Sequence, residues 1–251
     1  MKKGGGCRAQ EVRFGRFLGN PKVTVECLIE SWGPGTAEAA RGRHVLAIQD
    51  TSEFNFKTTA ERRRGLGEIG KGGGRGALVH VMLGLDAEDG SCLGLVSGRV
   101  WTRRSRVTRA RGKRPLTAKE SERWLSTAEA AKSVLADAAM VTVLADRESD
   151  IYAGWARLPE AGFHLITRLI GDRRLATGGK LHAFGAALPV AGNRQLELRA
   201  QPGRSARTAG LALRFGTVAL RRPRNTPERD LPPSVTLRLV EVVELEPPDG
   251  I

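Results

Sequence analysis

The order of short apolar runs between residues 44 and 169 most restricts the fold of this chain. Three runs come first, and turn-forming residues at 86–90 join the second to the third. A segment with helical spacing, an apolar run, a shorter helical segment and a last apolar run follow. In chain order these segments are 44–48, 77–85, 92–101, 118–138, 140–145, 150–158 and 163–169. The order βββαβαβ predicts an α/β domain in which crossovers to parallel strands follow a hairpin, and the uniformly apolar first run predicts a strand buried on both faces.

The segments on either side of this core have a different character. Residues 12–30 predict two short helices broken at Asn20-Pro21, and the Gly-, Ala- and Pro-rich residues 31–43 predict a linker. Three segments after residue 171 alternate apolar and polar residues, which is typical of an antiparallel sheet. They are 196–200, 211–220 and 235–245. The predicted regions are a helical N-terminal part with its linker, an α/β core and a β-rich part, at 1–43, 44–170 and 171–251.

The charge of the chain favours an anionic partner. Lysine and arginine number 41 against 27 aspartate and glutamate residues, a formal net charge of +14. The stretches 99–114 and 198–227 contain basic residues and no acidic one, and the glycine-rich segment 57–76, predicted as a loop, adds more basic residues. Such segments favour a surface that follows a phosphate backbone, although an arginine-rich composition alone is the other explanation. A single tyrosine and few aromatic residues argue against a single-strand binder that stacks bases.

Cysteine content and hydropathy indicate the compartment. The three cysteines are an odd number without a CxxC pair, which argues against a disulfide scaffold and favours a reducing cytoplasm. No apolar run is long enough to cross a bilayer, and the basic start lacks the apolar stretch of a signal peptide. We therefore expect a cytoplasmic protein without a membrane partner.

Two acidic residues stand where the predicted sheet would present them together. Asp50 follows the first apolar run and Asp146 follows the fourth, and in an RNase H-like fold, which has the same succession of strands and helices, these two strands are neighbours. Their carboxylates would emerge at one edge of the sheet, where hard oxygen ligands suit Mg²⁺ or Mn²⁺. Each acid is alternatively an ordinary turn or helix N-cap residue. Glu148 is either a further ligand, a solvent-facing residue or a partner of Arg147.

The segments around these two acids resemble the catalytic blocks of a known family. AIQDTSEFNF at 47–56 is similar to the first block of bacterial DDE transposases of the insertion-sequence-four, Tn-five-like group, and VTVLADRESDIY at 141–152 resembles the second. The β-rich part after 171 resembles the β insertion of these enzymes. The resemblance implies an RNase H-like mixed sheet (βββαβαβ) with an antiparallel β insertion. It also implies metal-dependent DNA strand cleavage and strand transfer in cut-and-paste transposition.

The resemblance assigns roles to particular residues. Asp50 and Asp146 become the catalytic, metal-binding acids for Mg²⁺ or Mn²⁺, and His80 matches a family histidine that we interpret as a hydrogen-bonded residue of a buried strand. Five arginines lie at or near the expected DNA path, each of which is otherwise an ordinary ion-pair residue. They are Arg75, Arg103, Arg104, Arg147 and Arg168. The implied partner is double-stranded DNA at transposon ends and target, on which two copies of the chain can pair, in a bacterial cytoplasm at the nucleoid.

One part of the family pattern is absent. The third acid of these transposases lies on a helix beyond the insertion, in a Tyr-x2-Arg-x3-Glu-x6-Lys signature, whereas the single tyrosine here is Tyr152, beside the second acid. We therefore expect a truncated fragment that is inactive in transposition and exposes apolar surface on one side of its sheet. The alternatives are a non-catalytic DNA-binding or regulatory fragment, a remnant without a stable fold and an unrelated nuclease. On sequence alone, whether the chain is an enzyme stays open.

Overall fold

The computed structural model of the chain describes residues 8–56, 65–70, 74–103, 120–226 and 228–248. The chain divides into two compact units between Arg168 and Leu169, two residues before the predicted start of the β-rich part. The helices at 8–40 fall within the first unit, and the predicted three-part division of the chain stays a prediction. Of the helices described, none combines the length and the apolar character needed to cross a lipid bilayer.

The first unit combines helices with a mixed sheet. Its first two helices are broken around Asn20-Pro21, as predicted. The described elements are α1 (Arg8–Leu18), α2 (Val25–Glu30), α3 (Gly33–Ala40), β1 (His44–Asn55), β2 (Gly67–Ile69), β3 (Gly74–Asp86), β4 (Cys92–Trp101), α4 (Glu122–Val134), β5 (Met140–Ala145), α5 (Tyr152–Arg157) and β6 (Phe163–Thr167).

The strand pairing follows the predicted order. β3 pairs antiparallel with β1 on one side and with β4 and the short β2 on the other. β1 pairs in parallel with β5, and β5 pairs in parallel with β6. The predicted hairpin of β3 and β4 and the predicted neighbourhood of β1 and β5 are both confirmed. β2 is an additional strand within the segment 57–76, which the sequence predicts to be a loop throughout. Residues 57–64 and 71–73 of this segment lie outside the described residues.

The sheet buries one face and leaves the other half-exposed. Val45 and Ala47 of β1 are fully buried, whereas Ile48 is 38% exposed. In β3 the fully buried Met82 is followed by Leu83, which is 39% exposed. Helices α2, α3 and α4 all contact β4, and α3 and α4 also contact β3, which accounts for the buried face. The prediction that the first strand is buried on both faces is therefore wrong, and the link between exposed apolar surface and a truncated chain stays a prediction.

Residues 33–40 form helix α3 where the composition predicts a linker. Pro34 lies in the first turn, where its missing N–H costs no helical hydrogen bond. The buried Thr36 donates a hydrogen bond from Oγ1 to the carbonyl oxygen of Leu95 in β4 at 2.8 Å. Gly94 has a φ of 142°, and a Cβ at that position would collide with Thr36 Oγ1. The small residues that indicate a linker thus allow a helix to lie close against β4.

The second unit is built on a three-stranded antiparallel sheet, as the alternating pattern predicts. β7 (Gly192–Leu198) pairs with β8 (Arg207–Arg221), which pairs with β9 (Ser234–Glu244). Helix α6 (Leu181–Ala187), which the pattern does not predict, contacts β8 and β9. Arginines of the acid-free stretch 198–227 are partly neutralised across this ladder, because Arg207 forms an ion pair with Glu244.

Replacing Met82 with alanine should lower the free energy of unfolding by about 2–5 kcal/mol, because the side chain is fully buried beneath the helices. Leu83→Ala, at the next residue on the half-exposed face, should cost about 1 kcal/mol. Urea unfolding of the two variants measures the difference. Equal losses at the two positions would contradict the one-sided burial of this sheet.

Candidate metal site

Asp50 lies inside β1 and not at its end. The strand continues to Asn55, so the prediction that it ends with the apolar run 44–48, just before Asp50, is wrong. The ladder between β1 and β5 stops at the pair Ile48–Leu144, and beyond it β1 is paired with β3 alone, with Asp50 opposite Val81. Asp50 therefore sits at the point where β1 has no strand on one side, and its side chain is exposed.

Asp146 follows the last residue of β5 and begins a short 3-10 turn. Asp50 and Asp146 each lie two residues beyond the last paired residues, Ile48 and Leu144, so they occupy one level of adjacent parallel strands. Because side chains alternate along a strand, Asp50 lies on the face of Ile48, opposite to the face that α2, α3 and α4 cover. The structure thus brings the two predicted acids to one edge of the sheet, and their role as metal ligands stays a prediction.

Each carboxylate uses one oxygen locally. Oδ1 of Asp50 accepts a hydrogen bond from the N–H of Thr51, and Oδ1 of Asp146 accepts one from the N–H of Glu148, both at 2.7 Å. The alternative role of Asp146 as an N-cap is thus also present. Within the described residues the two Oδ2 atoms have no hydrogen-bond partner, and such hard oxygens suit Mg²⁺ or Mn²⁺.

Asp50 and Asp146, hereafter the acid pair, supply only part of the ligand set that a metal site needs. No group of three or more His, Cys, Asp or Glu side chains that could hold a metal ion is found in the described part of the chain. Two carboxylates alone give a divalent cation few protein ligands and leave most of its coordination to water or a substrate. The donor chemistry therefore fits a Mg²⁺ or Mn²⁺ ion that is held weakly.

Two of the predicted DNA-binding arginines flank the acid pair. Arg147 directly follows Asp146, and Arg168 directly follows β6, at the level of Asp146 in the parallel ladder. Both side chains are exposed, and no acidic side chain of the described residues forms an ion pair with either. Guanidinium groups in this position can hold a phosphate beside the two carboxylates.

The other predicted arginines are placed differently. Arg75 is exposed near the start of β3, at the same end of the sheet as the acid pair. Arg103 donates two hydrogen bonds to Glu120, at 2.7 and 2.8 Å, and lies 3.5 Å from Glu53. The hydrogen bonds to Glu120 raise the pKa of Arg103, and these acids largely compensate its charge. Arg104 lies outside the described residues.

A chain of buried and part-buried polar side chains lies beneath the acid pair, on the helix side of β1. Thr51 Oγ1 is 2.8 Å from Nδ1 of His80, and Nε2 of His80 is 3.2 Å from Oε1 of Gln49. His80 is fully buried and packs edge-on against Trp124, with the ring centres 4.7 Å apart. Burial, reinforced by the charge of Arg123, lowers the pKa of His80 to about 4. The interpretation of His80 as a hydrogen-bonded residue of a buried strand is confirmed.

Arg123, in the first turn of α4, belongs to this chain although the sequence pattern does not single it out. Its Nε donates a hydrogen bond to Thr51 Oγ1 at 2.9 Å, and its Nη2 donates one to Oε2 of Glu148 at 2.5 Å. Glu148 therefore pairs with Arg123 and not with Arg147. The only sequence signal is a basic residue beside Trp124 on the apolar side of the predicted helix, because both partners are distant along the chain.

Comparison with known proteins gives a weak structural similarity. No known family pattern matches the sequence. A solved structure to which the chain is similar is the cryo-EM structure of a piggyBac transposase synaptic complex with hairpin DNA. The two chains are 12% identical with a TM-score of 0.35, and the similarity covers 82% of this chain and 35% of the transposase chain. The chain thus spans well under half of that transposase, and the similarity does not identify a family.

The pKa of His80 predicts that acid destabilises the folded chain. Above pH 6.5 the ring is neutral in both states, whereas between pH 6.5 and about 4 the unfolded chain takes up a proton that the buried ring resists. As the pH falls through this range, the melting temperature of His80→Gln should therefore decrease less than that of the wild type. His164→Gln, at an exposed position of β6, is the control and should behave as the wild type. An unchanged pH dependence in His80→Gln would count against this assignment.

Proposed function

We propose that the mixed sheet is an RNase H-like core and that the chain carries two metal-binding aspartates of a DDE transposase of the insertion-sequence-four group. The observation that carries this proposal is the register of β1 and β5, which puts Asp50 and Asp146 at one level of adjacent parallel strands. The strand order supports it, because the antiparallel strands lie on one side of β1 and the parallel strands on the other. The segments that resemble transposase blocks surround these two acids.

In this proposal the chain binds a divalent cation and DNA at the same edge. Asp50 and Asp146 hold Mg²⁺ or Mn²⁺ through their second carboxylate oxygens. Two divalent cations held there would activate the attacking oxygen and stabilise the leaving oxygen of a phosphodiester. Arg147 and Arg168 hold backbone phosphates next to the acids, and their charges offset the repulsion between phosphate and carboxylate.

A second candidate function is DNA binding or regulation without catalysis. The observation that favours it is the ion pair between Glu148 and Arg123, because within the described residues no further carboxylate joins the acid pair. Loss of one charge-stabilising group at a catalytic site typically costs about 10²–10³ in rate. We therefore propose that this chain binds DNA and a divalent cation but does not by itself transpose DNA.

Mn²⁺ should bind the wild-type chain weakly, and Asp50→Asn and Asp146→Asn should each lower its affinity. Removal of a residue that hydrogen-bonds to a metal ligand typically lowers metal affinity by a factor of about 10–100. Removal of the charge of a ligand itself should lower the affinity at least as much. Asparagine retains a side-chain oxygen that can cap the turn at Asp146, so the change isolates the charge. Asp137→Asn, at an exposed aspartate after α4, is the matched control and should leave the affinity unchanged. Electron paramagnetic resonance of free Mn²⁺ measures each affinity.

The same variants decide between the two functions. If all four proteins bind Mn²⁺ equally, Asp50 and Asp146 do not form a metal site and the proposal fails. Incubation with supercoiled plasmid and Mn²⁺ should leave the plasmid uncut. Nicking that Asp146→Asn abolishes would instead show that the chain is a nuclease by itself and would exclude the non-catalytic function.

Binding to duplex DNA should weaken steeply as the salt concentration rises. Arg147→Ala and Arg168→Ala should each reduce the slope of log affinity against log salt by about 0.9 for every phosphate that the arginine neutralises in the wild type. Arg103→Ala is the control and should change the slope little, because Glu120 already engages that guanidinium. Fluorescence anisotropy over a salt series measures the slopes. An affinity that does not depend on salt, or equal slopes in all variants, would contradict the proposed binding of phosphates by these arginines.

A further inference from the structure

Arg123 connects the two segments that bear the candidate metal ligands. Thr51, which accepts its Nε hydrogen bond at 2.9 Å, directly follows Asp50 in β1. Glu148, which accepts its Nη2 hydrogen bond at 2.5 Å, lies two residues after Asp146. One guanidinium therefore spans the gap between β1 and the turn after β5, just where the ladder between those strands has ended.

The third arm of Arg123 anchors the guanidinium to the segment that precedes its own helix. Nη1 donates a hydrogen bond to the carbonyl oxygen of Glu120 at 2.8 Å. The side chain is only 9% exposed, and its guanidinium carbon lies 5.5 Å from the ring centres of both Trp101 and Trp124. A planar guanidinium packed against two aromatic rings presents its donors in fixed directions, which a lysine ammonium group does not do.

The contact to Glu148 reaches Asp146 through the backbone. The N–H of Glu148 donates the hydrogen bond to Oδ1 of Asp146, so the residue that Arg123 holds is the one whose amide orients that carboxylate. On the other side, the N–H of Thr51 donates to Oδ1 of Asp50 in the same way. Each aspartate is thus oriented by the amide of a residue whose side chain Arg123 binds.

We propose that Arg123 is a positioning residue that holds the Asp50 and Asp146 carboxylates at the spacing a shared divalent cation requires. The proposal rests on the proposed metal-binding function of this acid pair. Arg123 itself lies on the helix side of the sheet and acts through Thr51 and Glu148. Its removal should loosen the turn after β5 and weaken cation binding while both aspartates remain.

The test uses variants that each remove one part of the connection. Arg123→Gln removes the charge, Thr51→Val removes the hydroxyl at nearly constant volume, and Glu148→Gln removes the charge of the other partner. Each should lower the affinity for Mn²⁺ by about tenfold or more, which is the usual effect of removing a residue that orients a metal ligand. Arg99→Gln is the matched control, because Arg99 is likewise paired with a glutamate, Glu122 of α4, but is 55% exposed and forms no ion pair with either aspartate segment among the described residues. Its Mn²⁺ affinity should equal that of the wild type.

A second readout without metal separates this proposal from the function on which it rests. Hydrogen exchange of the amides at 148–150 should be faster in Arg123→Gln than in the wild type and unchanged in Arg99→Gln, since these amides bond within the turn that Glu148 anchors. If the wild type binds no Mn²⁺, the metal-binding function fails, and the spacing role fails with it. If the wild type binds Mn²⁺ but Arg123→Gln keeps both its affinity and its exchange rates, only the positioning role is overturned.

A double-mutant cycle distinguishes positioning from general destabilisation. Arg123→Gln combined with Thr51→Val should weaken Mn²⁺ binding by less than the product of the two single effects, because both changes break one connection. Thr51→Ser, which keeps the hydroxyl, should bind Mn²⁺ with nearly the affinity of the wild type. If Arg123→Gln lacks a cooperative thermal transition, Thr51→Val and Glu148→Gln carry the test. Wild-type Mn²⁺ affinity in both of these variants would overturn the proposal.

Discussion

The parallel pairing of β1 with β5 is the interaction on which the candidate site depends. Val45 and Ala47 of β1 are fully buried, their partners Val141 and Val143 in β5 are buried with them, and this burial fixes the register of the pair. A slip by one residue would turn these side chains to the half-exposed face and would also move Asp146 away from the level of Asp50. Core packing therefore determines the geometry of two carboxylates that lie outside the core.

The order and pairing of these strands could be predicted from the sequence, but not which of their faces are covered. The apolar run 44–48 is typical of a strand buried on both sides, yet Leu46 and Ile48 remain partly exposed. Whether a strand face is covered depends on elements elsewhere in the chain, which a local pattern does not encode. Helix α3 shows the converse, because its composition predicts a linker whereas the hydrogen bond of Thr36 to Leu95 in β4 secures a helix.

Charge patterns along the sequence predict the site only in part, because the partners of a charged side chain can lie on elements elsewhere in the chain. The stretch 99–114 contains no acid, yet its Arg103 is held by a glutamate that precedes α4, and in the stretch 198–227 Arg207 is paired with a glutamate of β9. An acid-free stretch of sequence is therefore not an acid-free surface. Arg147 illustrates the opposite case, because it stands between two acidic residues in the sequence and still projects an exposed guanidinium beside the acid pair.

A strand that presents a carboxylate on one face must present the adjacent residues to the other face. In β1 the residues adjacent to Asp50 are Gln49 and Thr51, and both lie on the helix side, where an unpaired polar group would be destabilising. His80 and Arg123 satisfy them with hydrogen bonds. A hydrogen bond has a preferred direction, which an apolar contact lacks, so the polar layer formed by Gln49, Thr51, His80 and Arg123 restrains the orientation of the backbone around Asp50. Since β1 has no β5 neighbour at this level, the polar layer supplies the restraint that the ladder no longer provides.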